Sequence, residues 1–115
     1  MRPLLNVFAI ALVLAASVHP SRADGDDTVR SLMDDCRAPP RSAEEVACVR
    51  YIVGASDQLA IEGHVCLGAT TTRRQEVQAF LDWADAHPER SKKPESTGVL
   101  IALIQGWQCK ETAGE

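Results

Sequence analysis

Apolar residues recur at helical spacing in the middle of the chain, between residues 43 and 62. One stripe, at 3.6 residues per turn, comprises Cys48, Val49, Ile52, Ser56 and Leu59. Tyr51, Gly54 and Ile61 lie on another side of the same helix. A helix that is apolar on two sides needs neighbours on both. The glycine predicts a close approach by another backbone, because glycine costs about 1 kcal/mol relative to alanine inside a helix.

Two shorter amphipathic helices are predicted on either side of this central helix. The first carries apolar residues at Val29, Leu32, Met33 and Cys36 and is stopped by the consecutive prolines Pro39 and Pro40. A capping box at Ser42 and Glu45 then starts the central helix, and Gly63 ends it. A second capping box at Thr72 and Gln75 starts the third helix, which closes at Pro88 and has a stripe of Val77, Phe80, Leu81 and Ala84.

The C-terminal part of the chain predicts a linker and a fourth helix. Pro88 and Pro94 bound a charged linker that we expect to be extended and exposed. The helix begins near Glu95 or Ser96 and ends at Cys109, with a main stripe of Val99, Leu100, Leu103, Ile104 and Trp107. Ile101 points almost opposite that stripe, and a helix that is apolar nearly all round is either central or shared with a second subunit. The predicted fold is a small all-α bundle of four helices.

The first 23 residues have the pattern of a secretory signal peptide. A basic start at Arg2 precedes an almost wholly apolar run over residues 4–18, and small residues at Ser21 and Ala23 fit cleavage after Ala23. The run is too short to span a bilayer comfortably, so an uncleaved anchor is the less favoured alternative. We therefore expect one domain over residues 24–115, exported across the inner membrane to the periplasm and not stably inserted in a membrane.

The charge balance bears on the kind of partner. The chain has 12 basic and 16 acidic residues, and the leader takes Arg2 and Arg22 with it. The remaining excess of acid argues against nucleic acid or an anionic membrane surface as a partner. It is compatible with a basic protein partner, although solubility alone would also explain it.

Four cysteines, Cys36, Cys48, Cys66 and Cys109, all follow the leader. Exported domains of this size commonly use disulfides to make up for a small core. Three pairings are possible by counting. Cys36 ends the first helix and Cys48 lies just across the proline turn, so a Cys36–Cys48 bond would staple a helical hairpin. That pairing, which leaves Cys66–Cys109, is the one we favour.

Residues with catalytic potential are few. His64 and Cys66 are the one pair that could make a cysteine hydrolase, but a nucleophile needs a free thiol, and an even cysteine count in an exported chain favours disulfides. His87 lies at a helix end, where a cation is favourable. No Cys-x-x-Cys pair or Gly-rich phosphate loop occurs. We expect neither catalysis, nor a metal site, nor a cofactor.

The order of the cysteines and their neighbours resembles the immunity proteins of type VI secretion amidases, the Tai and Rap immunity family. The resemblance is carried by Cys36, the core Cys48-x-x-Tyr51-Ile52-x-Gly54-x-x-Asp57, Cys66, residues 77–81, His87-Pro88-Glu89-Arg90, Ala102-Leu103 and Trp107-x-Cys109. It covers nearly the whole chain after the leader. The motif residues Tyr51, Ile52, Gly54 and Asp57 look structural.

The resemblance implies a periplasmic, all-helical, disulfide-bonded protein that commonly forms a homodimer. The family binds an amidase effector that cleaves peptidoglycan peptides, and it blocks the enzyme by inserting an exposed segment into the catalytic cleft. If occlusion operates here, the candidate partner-binding loops are the linker, with Glu89, Arg90, Lys92 and Lys93, and the turn that carries Gly68, Thr70 and Thr71. The alternative for both loops is that they are ordinary solvated connections.

Two other functions are compatible with the sequence. One is a small periplasmic acid-stress chaperone, which would use the apolar last helix after a dimer dissociates at low pH. The other is an orphan structural member of the same fold, since the family name also covers chains that stand far from any effector.

Overall fold

The computed structural model describes residues 27–110, and the predicted signal peptide lies outside them. Four α-helices follow in chain order, α1 Val29–Cys36, α2 Ala43–Ile61, α3 Arg73–Ala86 and α4 Glu95–Gly106, with a short 3-10 turn at Pro88–Arg90 before α4. The only β pairing among the described residues is an isolated bridge between Thr28 and Pro94. The prediction of a small all-α domain with four helices is confirmed. None of the helices in residues 27–110 is long and apolar enough to cross a membrane.

Both predicted caps are confirmed, but only the one at Thr72 is a complete capping box. The Ser42 hydroxyl accepts a hydrogen bond from the Glu45 amide (3.2 Å), and the Thr72 hydroxyl accepts one from the Gln75 amide (3.1 Å). At α3 the box is reciprocal, since Gln75 accepts from the Thr72 amide. At α2 the Glu45 carboxylate reaches one residue further back, to the amide of Arg41 (3.2 Å). Both helix starts therefore satisfy backbone donors that would otherwise lack partners.

The core is built on one face of α2, as the main stripe predicted. Cys48, Ile52, Ser56 and Leu59 are buried there, and Val49 is half-buried. The other helices contribute the remaining buried apolar residues Val29, Leu32, Phe80, Trp83, Ala84, Val99, Ala102 and Leu103, and Val65 joins them from the connection after α2. The three other helices thus pack mainly on this side of α2.

The predicted second packed side of α2 is present only at Tyr51, which is half-buried against the core, and is wrong at Gly54 and Ile61. Ile61 is 80% exposed, and a Cβ placed on Gly54 would meet nothing within 4 Å. The close approach occurs instead at Gly98 in α4, where a Cβ would lie 2.7 Å from Cγ2 of Val29 and 2.9 Å from Cζ3 of Trp83. Gly98 is therefore the glycine whose missing side chain lets α4 pack against α1 and α3.

The two glycines give opposite expectations for substitution by alanine. Gly98→Ala is expected to lose up to about 2 kcal/mol of unfolding free energy, because overpacking costs about 1–3 kcal/mol and helix propensity returns about 1 kcal/mol. Gly54→Ala should gain about 1 kcal/mol, since it adds helix propensity without a contact. Urea denaturation of both variants checks this, and a Gly98→Ala protein more stable than the parent would contradict the packing described here.

Three predictions about the C-terminal part are also corrected. The linker is not extended throughout, because residues Pro88–Arg90 form a 3-10 turn. Helix α4 ends at Gly106 and not at Cys109. Its buried residues are Gly98, Val99, Ala102 and Leu103, whereas Leu100, predicted in the main stripe, is 43% exposed. The helix is thus rotated relative to the expectation.

Both favoured disulfides are confirmed. Cys36 is bonded to Cys48, with their Cα atoms 5.1 Å apart, and Cys66 is bonded to Cys109, with their Cα atoms 4.9 Å apart. The first bond joins α1 to α2 across the proline turn. The second ties the connection between α2 and α3 to the segment that follows α4.

Candidate partner-binding surface

The linker between α3 and α4, residues 88–94, is fixed to the N-terminus of α1. The amides of Val29 and Arg30 donate hydrogen bonds to the carbonyl oxygens of Lys93 (2.8 Å) and Ser91 (2.9 Å). These amides belong to the first turn of α1, where backbone donors have no partner within the helix. The linker therefore caps a helix that begins about sixty residues earlier in the chain.

The two edges of the linker are held as well. On its C-terminal side the amide of Glu95 donates to the carbonyl oxygen of Asp27 (2.9 Å). On its N-terminal side Nδ1 of His87 lies 2.8 Å from the carbonyl oxygen of Trp83, and the two rings stack with centroids 4.9 Å apart. Because a carbonyl oxygen can only accept, Nδ1 carries the hydrogen in this contact.

The predicted binding residues of the linker project from this fixed backbone. Glu89, Arg90, Lys92 and Lys93 are all exposed. A loop whose backbone is already ordered loses little conformational freedom when a partner binds its side chains. The linker thus has the properties of a preorganised contact element that carries more cations than anions.

The second candidate, the turn over residues 68–72, is held mainly by its own atoms. The Thr71 hydroxyl accepts from the Gly68 amide (3.0 Å), and the Thr71 amide donates to the Gly68 carbonyl (3.0 Å). Gly68 and Thr70 are exposed, and Thr71 is half-buried. Thr70 and Thr71 line a shallow groove of about 480 Å³ together with Gly106, Trp107 and residues of α3.

The structure does not bring the two candidate loops together. The turn precedes α3 and the linker follows it, and α3 is 14 residues long. At 1.5 Å per residue, α3 separates the loops by about 20 Å. One loop can enter a narrow cleft of a partner, but both loops cannot enter the same cleft.

Tyr51 of the family-type motif lines a cleft next to the linker. The cleft, of about 360 Å³, lies between α1, α2 and the start of α4, and its wall includes Asp27, Asp35 and Glu95. Burial raises the pKa of Tyr51, and the carboxylates of Glu95 and Asp27 raise it further. The phenol is therefore protonated at neutral pH and able to donate a hydrogen bond. Lys92 lines an adjoining cavity of about 380 Å³ with Tyr51, so the linker and the cleft form one continuous surface.

The other motif residues divide between the core and the surface. Ile52 is fully buried, whereas Gly54 and Asp57 lie on the exposed side of α2. The motif therefore contains both packing residues and surface residues.

One polar pair in the core was missed by the sequence analysis. Glu76, 5% exposed, accepts a hydrogen bond of 2.6 Å from the hydroxyl of Ser56, which is 0% exposed. Ser56 was placed in the apolar stripe of α2, and a buried hydroxyl in such a stripe needs a partner. The position of Ser56 in the apolar stripe therefore indicates that a polar partner is buried beside it, but the sequence does not identify Glu76 as that partner.

The cysteine hydrolase hypothesis is not supported by the structure. The sulfur of Cys66 is bonded to Cys109, and residues 27–110 contain no free cysteine. His64 therefore has no neighbouring thiol to activate, and its imidazole Nε2 lies 3.6 Å from a carboxylate oxygen of Glu62.

Comparison with known proteins gives one match. The family model described as Rap1a immunity proteins matches residues 28–109, which include all four helices and both disulfides. Searches of curated proteins and of solved structures found no match to the chain.

Proposed function

The chain belongs to the Rap1a immunity proteins, and from this membership we propose that it binds and occludes a peptidoglycan amidase effector of a type VI secretion system. The family is one of immunity proteins against secreted effectors, so the partner is a protein. The choice of an amidase as the target rests on the resemblance of the sequence to the immunity proteins of type VI secretion amidases. In this proposal the chain has no catalytic activity of its own.

The periplasm is the proposed site of action. Two disulfides in a chain of this size fit an oxidising compartment, and the leader-like residues 1–23 fit export. An effector that cleaves peptidoglycan acts in the same compartment, so the immunity protein would meet it there.

We place the contact with the effector at the linker. The observation that carries this assignment is the fixed backbone of residues 88–94, which presents four exposed charged side chains. The turn over residues 68–72 contains no charged residue, and it lies at the other end of α3. Because charge complementarity at an interface steers association and fixes register, the cations of the linker should face an acidic rim on the effector.

A pair of charge reversals tests this placement. Lys92→Glu/Lys93→Glu is expected to weaken binding to the amidase encoded nearest this gene by at least about tenfold, or ~1.4 kcal/mol, because it sets like charges against each other. Isothermal titration calorimetry with the two purified proteins measures the effect, and protection of cells from the amidase provides a second measurement.

The matched control is Arg73→Glu/Arg74→Glu. This variant also reverses two adjacent exposed cations, but at the opposite end of α3. Acidic side chains at this helix N-terminus interact favourably with the helix dipole, so the variant should fold. It should bind within about twofold of the parent, which is ~0.4 kcal/mol. If the control loses binding and the linker variant does not, the contact lies at the turn. If the unmodified chain neither binds nor protects against any amidase encoded nearby, the proposed target is wrong.

A further inference from the structure

The two disulfides differ in their access to solvent. Cys48 is 1% exposed in the core, and Cys36, to which it is bonded, is half-buried at the end of α1. Cys66 is exposed and Cys109 is half-buried. Disulfides are broken by direct attack of a thiolate on a sulfur atom, and the rate depends on access to that atom.

The exposed disulfide holds one end of the molecule together. Cys66 lies in the connection between α2 and α3, and Cys109 lies three residues after the end of α4. Beside the bond, the amide of Cys66 donates to the carbonyl oxygen of Trp107 (2.9 Å). Thr70 and Thr71 of the turn and Trp107 line the same groove of about 480 Å³. The disulfide therefore joins two of the three segments that line this groove, the third being α3.

We propose that Cys66–Cys109 is a reducible clasp that controls the groove between the turn and Trp107, whereas Cys36–Cys48 is a permanent structural bond. A dithiol is the reductant. One of its thiolates attacks the sulfur of Cys66, the Cys66–Cys109 bond breaks, and Cys109 leaves as a thiolate that takes up a proton. The second thiolate of the dithiol then attacks the dithiol's first sulfur, which is bonded to Cys66 in the mixed disulfide. Cys66 leaves as a thiolate and takes up a proton. Two electrons pass to the protein, and the dithiol becomes a disulfide.

Reduction loosens this end of the protein without unfolding the rest. Val65, 3% exposed, keeps the base of the connection in the core, and the hydrogen bond between Cys66 and Trp107 remains as a weaker tie. The α1–α2 hairpin keeps its own disulfide. The turn over residues 68–72 and the segment 107–110 then gain freedom to separate, which opens the groove. This behaviour does not depend on whether the chain binds an amidase.

The test of selectivity uses dithiothreitol on the folded, oxidised protein. Samples are alkylated with iodoacetamide at successive times, and the modified cysteines are located by mass spectrometry. Cys66 and Cys109 should be labelled at least tenfold faster than Cys36 and Cys48. Equal rates for the two pairs, or faster labelling of Cys36 and Cys48, would overturn the proposal.

A second measurement separates local opening from global unfolding. The Cys66→Ser/Cys109→Ser variant reproduces the reduced clasp and is compared with the oxidised protein by circular dichroism and amide hydrogen exchange. Helical content should be unchanged, and in the variant the amides of residues 64–72 and 107–110 should exchange much faster than those of α1 and α2, whose protection falls only as far as the global stability does. Loss of the helical signal, or equal protection of the two groups of amides in the variant, would show that the bond is structural and not a clasp.

Discussion

Replacing Cys66 and Cys109 together by alanine is expected to lower the free energy of unfolding by about 4 kcal/mol. The bond closes a loop with a sequence separation of 43, and its loss frees that loop in the unfolded chain. For a domain of this length the melting temperature should fall on the order of 20 °C. The denaturant slope should rise as well, because an unlinked chain exposes more surface when it unfolds. Urea denaturation followed by circular dichroism measures both quantities.

The Cys36→Ala/Cys48→Ala variant provides the comparison. Its loop has a sequence separation of 12, and loop entropy alone predicts a loss of about 3 kcal/mol. Cys48 is also part of the core, so its truncation adds a packing cost that the exposed pair does not have. The two variants therefore separate an effect on the unfolded chain from an effect on the core. A loss below about 1 kcal/mol for the Cys66 and Cys109 pair would rule out the loop-entropy account.

Ser56→Ala should cost about 1.5–3 kcal/mol, although it removes a single oxygen atom. The hydroxyl of Ser56 donates to the buried carboxylate of Glu76, and alanine leaves that carboxylate without this donor in the core. A buried acceptor that loses its hydrogen bond retains its desolvation cost without compensation. Chemical denaturation at neutral pH measures the loss.

A double-mutant cycle with Glu76→Met distinguishes this cause from simple loss of packing. Methionine is close to glutamate in size and needs no hydrogen bond, so the Ser56→Ala/Glu76→Met protein should be more stable than Ser56→Ala alone. Losses that add up for the two substitutions would show that the two side chains are not energetically coupled.

The helices were predictable because their signals are local. The stripe over Cys48, Ile52 and Leu59 repeats at helical spacing, and the caps at Ser42 and Thr72 are determined by residues within three positions. The disulfide pairing was also accessible, because the proline turn after α1 brings Cys36 close to Cys48 in any hairpin of these two helices.

The orientation of α4 was not predictable from its own sequence. Residues 98–104 are uncharged and apolar apart from Gly98, so no face of the helix is marked for solvent. The structure buries Val99 and Leu103 and exposes Leu100, because Gly98 must face Val29 and Trp83. Likewise, helix propensity treats Gly54 and Gly98 alike, and only the packing of other helices shows which of them has a close neighbour.

For the candidate surface, too, local features were predictable and contacts between distant segments were not. The sequence marked Lys92 and Lys93 as exposed charges between two prolines, and the structure places them in that way. The linker is held by hydrogen bonds from Val29 and Arg30, which lie about sixty residues earlier in the chain. No local sequence pattern predicts a contact between segments so far apart. Tyr51 was identified by its motif, but its position beside Lys92 depends on the packing of α1, α2 and α4.

The carbonyl oxygens that cap α1 restrict how this protein can diversify. A surface loop usually tolerates insertions and deletions, but a change of length in residues 88–94 would withdraw the acceptors of Val29 and Arg30. Helix α1 has only eight residues, too few to be stable alone, and depends on those contacts. With the linker as the proposed effector contact, new specificities should therefore arise by exchange of the side chains at Glu89, Arg90, Lys92 and Lys93, with the length of the loop held constant.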